Sequence, residues 1–361
     1  MRRKIMWIII GIAAAAILGG GIFLAYQMNQ LNKLTSMTSD DMINYVTEND
    51  DNVKISVAII NNGEVSYHVY GKDGAELERT DYDYEIGSIS KTFATMLVSK
   101  AVEEGKISLD DTIDKYLDLE AGKNYPTIRD LVTHTSGYKG YYFDSQMISN
   151  TLNGQQNDFY GIGKDKILDK VKSVNIKDEE HKFVYSNFGI SVVGLVLESV
   201  YGEDFTEMMN DFIANELGLL DTEVRTCKGN LSGYWNWKEG DGYIPAGAII
   251  SDIEDMAKYL EFCMSTDEDY AVSAFKSLKK VDANNSTYEK MNVRIDEVGM
   301  GWMLDTANGI TWHNGGTTNF NSYIGFNREK KIGVVILSNI SPTKKIPMTV
   351  IGPKIILELM Q

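Results

Sequence analysis

The sequence predicts an α+β fold: one antiparallel sheet built from N- and C-terminal segments, flanked by helices, with a mainly helical middle region. Strand-like alternation of apolar and polar residues is confined to residues 53–71 and to the C-terminal third, and helical spacing dominates between them. A chain of 361 residues that is 43% hydrophobic and 24% charged can bury a full core. A long uncharged run near the N-terminus adds one further element, a transmembrane helix.

Arg2, Arg3 and Lys4 form a basic tip, residues 1–4, ahead of "IMWIIIGIAAAAILGGGIFLAY", Ile5 to Tyr26. A helix of that length is roughly 33 Å long, enough to cross a hydrocarbon core of about 30 Å. A cleaved signal peptide has a shorter apolar region and an A-x-A-like site, and no such site follows Tyr26, so residues 5–26 are expected to be an uncleaved signal anchor. The basic tip then stays in the cytoplasm and the rest of the chain lies outside the cell membrane.

Residues 27–50 read as a polar tether followed by a short helix, "SDDMINYVTENDD", capped by Ser39; a folded domain then spans 51–361. Within it, "VKISVAIINNGEVSYHVYG" is two alternating runs joined at Asn61, Asn62 and Gly63, a hairpin signal. "SKTFATMLVSKAVEEG" carries apolar residues at Phe93, Met96, Leu97 and Ala101, with Gly105 as a stop, and predicts a helix. "TIRDLVTH", "NFGISVVGLVLESVYG", "FTEMMNDFIANEL" and "SDIEDMAKYLEFCM" have similar spacing. "GITWHNGG", "NSYIGFNRE" and "KIGVVILSN" predict the C-terminal strands, and Met348 to Met360 a final amphipathic helix. The expected site lies at the seam between sheet and helices.

The net charge of −16 disfavours nucleic acid and anionic lipid head groups as partners. Cys227 and Cys263 lack metal-ligand spacing and read as either one disulfide or two buried thiols.

Five Ser-x-x-Lys matches occur, at Ser88, Ser136, Ser273, Ser277 and Ser341. Ser88 differs in context: Gly87 ends an extended, aromatic-rich run and an amphipathic helix begins at once, which puts Lys91 one turn on and on the same face. The helix N-terminus would favour a developing oxyanion there. Taken alone, Ser88 reads equally as a helix cap or as a nucleophile. "GSISKT" is no phosphate loop, because Ser90 stands where the glycine before the lysine is required. Tyr185, Ser186 and Asn187 precede a long apolar helix, and "GITWHNGG" ends a strand in His313, Asn314, Gly315 and Gly316, where paired glycines allow close backbone approach. His68, His134 and His181 have no comparable setting and read as structural.

"EIGSISKTF", "YSN" and "HNG", in that order, resemble the three signature elements of the serine beta-lactamase-like superfamily, which includes penicillin-binding proteins, D-alanyl-D-alanine carboxypeptidases, class C beta-lactamases and related esterases. "TIRDLVTHTSGY" and "GYIPAGAIISDIEDMAKYL" are similar to segments found between those elements in the class C branch. The resemblance implies that Ser88 attacks a carbonyl to give an acyl-enzyme, with Lys91 helping to remove its proton. Tyr185 would be the partner acid/base, its phenolate helped by Lys91 and His313. Asn187 would bind the substrate amide, Asn314 and Gly315 would contribute to substrate binding, and the N–H groups of Ser88 and Gly316 would form the oxyanion hole. No metal or cofactor is implied.

His313-Asn314-Gly315 replaces the Lys-Thr-Gly or Lys-Ser-Gly of beta-lactamases, which removes a permanent cation and a hydroxyl. The expected function is therefore a membrane-anchored extracellular serine hydrolase, peptidase-like or esterase-like rather than an efficient beta-lactamase. It is expected to act as a monomer on small-molecule or peptide substrates, cell-wall peptides included. The alternative is a non-hydrolytic penicillin-binding-type sensor or binding domain. "SGYWNWKEGDGY", residues 232–243, reads either as an aromatic rim of the cleft or as a packed surface loop.

Overall fold

The computed structural model describes residues 33–224 and 229–361. The basic tip, the apolar segment 5–26 and Cys227 lie outside the described residues. Among the described residues no helix is long and apolar enough to cross a membrane. Cys263 is fully buried.

The predicted hairpin forms strands β1 (Ile55–Asn61) and β2 (Glu64–Tyr70). Two short strands, β3 (Tyr84–Glu85) and β4 (Glu223–Val224), flank β5 (Ile249–Ser251) in a separate small sheet. The C-terminal third supplies β6 (Lys279–Lys280), β7 (Glu297–Val298), β8 (Met303–Asp305), β9 (Ile310–Gly316), β10 (Asn321–Asn327) and β11 (Ile332–Ser338). The large sheet runs β2-β1-β11-β10-β9-β8-β7-β6. Its chain ends meet as expected: β1 pairs antiparallel with β11, from Ile55 opposite Ser338 to Asn61 opposite Ile332. The strands β3 to β8 escape sequence reading because two or three residues cannot display a period of two.

The longer helices are α1 (Ser39–Thr47), α2 (Ser90–Glu103), α3 (Lys164–Ser173), α4 (Asn187–Tyr201), α5 (Ile253–Ser265) and α6 (Met348–Leu359). The cap of α1 is Thr38 rather than Ser39. Its side chain accepts from the Asp41 N–H while the Asp41 carboxylate accepts from the Thr38 N–H, so the capping box begins one residue earlier. Helices α1 and α6 cover one face of the sheet, where Val46 and Ile351 pack with Val334 and Ile336; α2 and α5 cover the other, with Phe93 and Leu260 against Val335 and Leu337. Every residue of β11 is buried, which explains a continuous apolar run instead of an alternating one.

Strand β8 pairs with β9 only over Ile310 to Trp312. Beyond that point, from His313 to Gly316, β9 continues to pair with β10 but presents its other edge away from β8. That edge lies over the start of α2, and the candidate site is built there.

Candidate active site

Ser88 lies in a single 3-10 turn, Gly87–Ile89, between β3 and α2. Gly87 has φ +53°, and a Cβ there would stand 2.6 Å from the Gly316 backbone nitrogen. A glycine is required twice over, for a left-handed backbone and for the close passage of β9. Gly315 makes a second such contact: its Cβ position is 1.9 Å from the Ile86 carbonyl oxygen, which accepts from Ser322 Oγ at 2.8 Å. The strand carrying Gly316 is thus pressed onto the turn carrying Ser88. Gly87→Ala is expected to destabilise the fold by roughly 2 kcal/mol or more and to slow acylation by moving Gly316. Urea unfolding alongside labelling by a fluorophosphonate checks both effects; unchanged values on both counts would remove the close-contact argument.

Lys91 follows one turn later and is completely buried. Its Nζ lies 2.9 Å from Ser88 Oγ and 2.6 Å from the Ala246 carbonyl oxygen. Burial holds the amine well below the usual lysine pKa. Neutral Lys91 can donate to Ala246 and still offer its lone pair to the Ser88 proton.

Tyr185 immediately precedes the cap of α4, where Ser186 accepts from the Gly189 N–H at 2.8 Å and donates to the Lys139 carbonyl at 2.7 Å. His134 grips this segment from the other side. Its carbonyl accepts from Val184 N at 2.8 Å, its Nδ1 accepts from Ser186 N at 3.2 Å, and its ring packs 4.7 Å from the Tyr185 ring. The Lys91 ammonium position lies 5.0 Å from the Tyr185 ring centre. Burial raises the phenol above its ordinary pKa, and a hydrogen bond with Ser88 partly opposes this. Burial thus favours the phenol form, which suits Tyr185 to the acid half of an acid/base role.

His313 stands on β9 with its ring centre 6.0 Å from that of Tyr185. Its Nδ1 donates to the Asn314 carbonyl at 2.6 Å, which leaves Nε2 with the lone pair. Burial first, and nearby Lys91 second, push its pKa down to about 3. The ring is neutral at physiological pH. Ser88, Lys91, Tyr185 and His313 thus converge in one cluster, in which Lys91 and His313 are fully buried and Ser88 and Tyr185 partly exposed.

A narrow cleft opens over Ser88, lined by Gly87, Asn187, Gly316, Phe159, Trp235 and Trp237 among others. The N–H groups of Ser88 and Gly316 sit on the two backbones that Gly87 brings together, as an oxyanion hole requires.

Residues 42–348 match the Beta-lactamase family. The chain belongs to the beta-lactamase family. Its members include serine hydrolases, and the convergent cluster is the arrangement such chemistry needs. Protein flp of Staphylococcus aureus (strain MW2) is 22% identical over 318 residues, 79% of this chain and 59% of that protein. The chain therefore spans less than two thirds of the length of that relative. Among solved structures, a beta-lactamase/D-alanine carboxypeptidase from Yersinia pestis superposes with a TM-score of 0.70 at 21% identity, covering 88% of this chain and 95% of that one. A D-stereospecific amidohydrolase from Streptomyces sp. gives 0.65 at 18%, covering 86% and 96%. At these identities the likeness is one of fold.

Within this family member, the residues singled out from sequence do not all reach the cleft. Asn187 and Gly316 line it, and Gly315 supports it through Ile86. Asn314 does not line it: adjacent strand residues face opposite ways, and Asn314 lines a neighbouring cavity of about 330 Å³ with Trp312, Tyr288 and Pro342. Trp235, Trp237 and Tyr243 place residues 232–243 at the cleft wall, where Phe159 stacks on Tyr243 at 4.1 Å.

His134, read from sequence as structural, packs directly on Tyr185. The signal was present in "TIRDLVTHTSGY", a stretch that resembles a family segment. Its role was hidden because the contact joins residues 51 positions apart. Glu85, the first residue of "EIGSISKTF", and Thr317, which directly follows Gly316, are joined by a hydrogen bond beside the cleft; neither was singled out from the sequence.

Proposed function

We propose that this chain is a membrane-anchored, extracellular serine hydrolase that forms an acyl-enzyme on Ser88 and acts on D-amino-acid-containing peptides or on small esters and amides. The observation that carries the reading is the 2.9 Å contact between Ser88 Oγ and a wholly buried Lys91 amine. Neutral Lys91 takes the hydroxyl proton as Oγ attacks the substrate carbonyl carbon. The oxyanion is met by the Ser88 and Gly316 N–H groups, each such donor typically being worth about 3 to 4 kcal/mol. Tyr185, held as a phenol, gives its proton to the leaving group, and the proton on Lys91 restores it. Water then attacks the acyl-enzyme by the reverse relay, Tyr185 and Lys91 removing its proton and Ser88 leaving as the alcohol.

Two features favour peptide or ester turnover over efficient beta-lactam hydrolysis. His313 is uncharged where beta-lactamases of the related pattern carry a lysine, and Asn314 lies outside the cleft. The solved relatives named for D-alanine carboxypeptidase and D-stereospecific amidohydrolase activity direct the choice of test substrates. The substrate backbone would lie along the free edge of β9 between His313 and Gly316.

The chain is expected to turn over an acyl-D-alanyl-D-alanine peptide or p-nitrophenyl butyrate at least tenfold faster, by kcat/KM, than nitrocefin. A nitrocefin rate exceeding both would refute this preference. Protease accessibility of the folded domain on intact cells tests the extracellular placement.

A further inference from the structure

Glu85 is buried, at 4% exposure, three residues before Ser88 on β3. One carboxylate oxygen accepts from the Trp235 backbone N–H at 2.5 Å; the other accepts from the Thr317 hydroxyl at 2.6 Å. Those two partners belong to two segments that border the cleft. Trp235 lines it, and Thr317 directly follows Gly316, which also lines it, at the end of β9. The walls are joined again outside Glu85: Trp235 Nε1 donates to Thr318 Oγ1 at 2.9 Å, and Asn319 Nδ2 donates to the Gly233 carbonyl at 2.8 Å. Thr317 Oγ1 also accepts from Phe320 N at 3.3 Å, which closes the turn leading into β10.

We infer that Glu85 is a positioning residue for the acylation step, a clamp that fixes the aromatic wall at Trp235 and the oxyanion strand at Gly316 relative to Ser88. The inference rests on the reading of Ser88 as the nucleophile. One short stretch, Glu85 to Ser88, then carries both the clamp and the nucleophile, and a displacement of either wall is felt at the reacting carbon.

The choice of side chain supports this role. An ionised carboxylate buried without a cation is costly, and burial pushes Glu85 up to about 7, against the two hydrogen bonds. No charged side chain contributes to that shift; the groups that face it are the Trp235 N–H and the Thr317 hydroxyl. The folded chain binds this proton more tightly than the unfolded one, so stability from this group is present below the ordinary glutamate pKa and is lost as pH rises towards 7. A residue serving stability alone would be better as glutamine. Glutamine can still accept from Trp235 N–H, but at Thr317 it presents an NH₂ that competes with the bond from Phe320 N.

The test uses the full chain with Glu85→Gln, Glu85→Ala and Thr317→Val. The probes are a fluorescent fluorophosphonate and p-nitrophenyl butyrate at pH 8, with melting temperature measured at pH 5 and pH 8. Glu85→Gln is expected to melt higher than wild type at pH 8, with a smaller difference at pH 5, yet to acylate roughly tenfold more slowly. Thr317→Val should lower kcat with little change in KM, and Glu85→Ala should worsen both. Wild-type acylation in Glu85→Gln, or losses that merely track melting temperature across all three variants, would overturn the proposal. Exchange of the Trp235 amide proton, followed by NMR, stands apart from Ser88 chemistry. If wild type takes up no label, the nucleophile reading fails, and the clamp is judged by whether that amide exchanges faster in Glu85→Ala. Equal exchange overturns it.

Discussion

Lys91→Met is expected to leave the protein as stable as wild type or more so, while slowing acylation of Ser88 by roughly a thousandfold or more. The two effects have opposite signs because they use the same fact. Lys91 is buried completely, and its pKa is held well below the lysine range by burial. Between that lowered value and 10.5 the unfolded chain binds a proton that the folded chain does not. Stability therefore rises with pH through this window, and at neutral pH the lysine works against folding. Methionine fills nearly the same volume without that penalty, offset by leaving the Ala246 carbonyl without its donor.

Activity depends on the same group in the opposite sense. Only the neutral amine can take the Ser88 proton, so the wild-type acylation rate should rise with pH through the lowered lysine pKa and be level above it. Ser88→Ala serves as the companion: it should abolish fluorophosphonate labelling with no loss of melting temperature. Equal labelling by wild type and Ser88→Ala would end the nucleophile assignment. A Lys91→Met variant that labels at the wild-type rate would instead show that another group removes the proton.

The residues that carry this chemistry were readable because each sits beside a local signal. Ser88 follows a glycine at the mouth of a helix, Tyr185 precedes a helix cap, and His313 stands before paired glycines. The pairing of β1 with β11 was readable from where the alternating runs lie. What could not be read was contact across distance. The acceptor that holds Lys91 is the Ala246 carbonyl, and a backbone oxygen has no sequence signature. The grip of His134 on the Tyr185 segment needs a left-handed residue, φ +58°, that is not glycine. The position of Asn314 follows from strand alternation once β9 is in register, but a motif read as a unit hides the fact that its neighbours face opposite ways.

The raised pKa of the Tyr185 phenol gives Tyr185→Phe a distinctive expected signature. The ring contacts to His134 and His313 survive the substitution, and only the hydroxyl that bonds to Ser88 is lost, so the fold should be preserved. If the phenol is the acid for the leaving group, the loss must depend on what leaves. An alkoxide or amine is a poor leaving group without a proton, and general-acid assistance typically contributes about 10² to 10⁴ in rate. A p-nitrophenolate departs unaided. Tyr185→Phe should therefore lose roughly a thousandfold on a D-alanyl amide or alkyl ester and under about tenfold on p-nitrophenyl butyrate. The pH profile should change as well. In wild type the rate on the amide falls only when the phenol ionises, at a pH above the ordinary tyrosine value because burial raises it; in the phenylalanine variant that alkaline limb disappears. Equal losses on the activated and unactivated substrates would instead place Tyr185 in the removal of the Ser88 proton, and Lys91 would then act on the reaction through Tyr185.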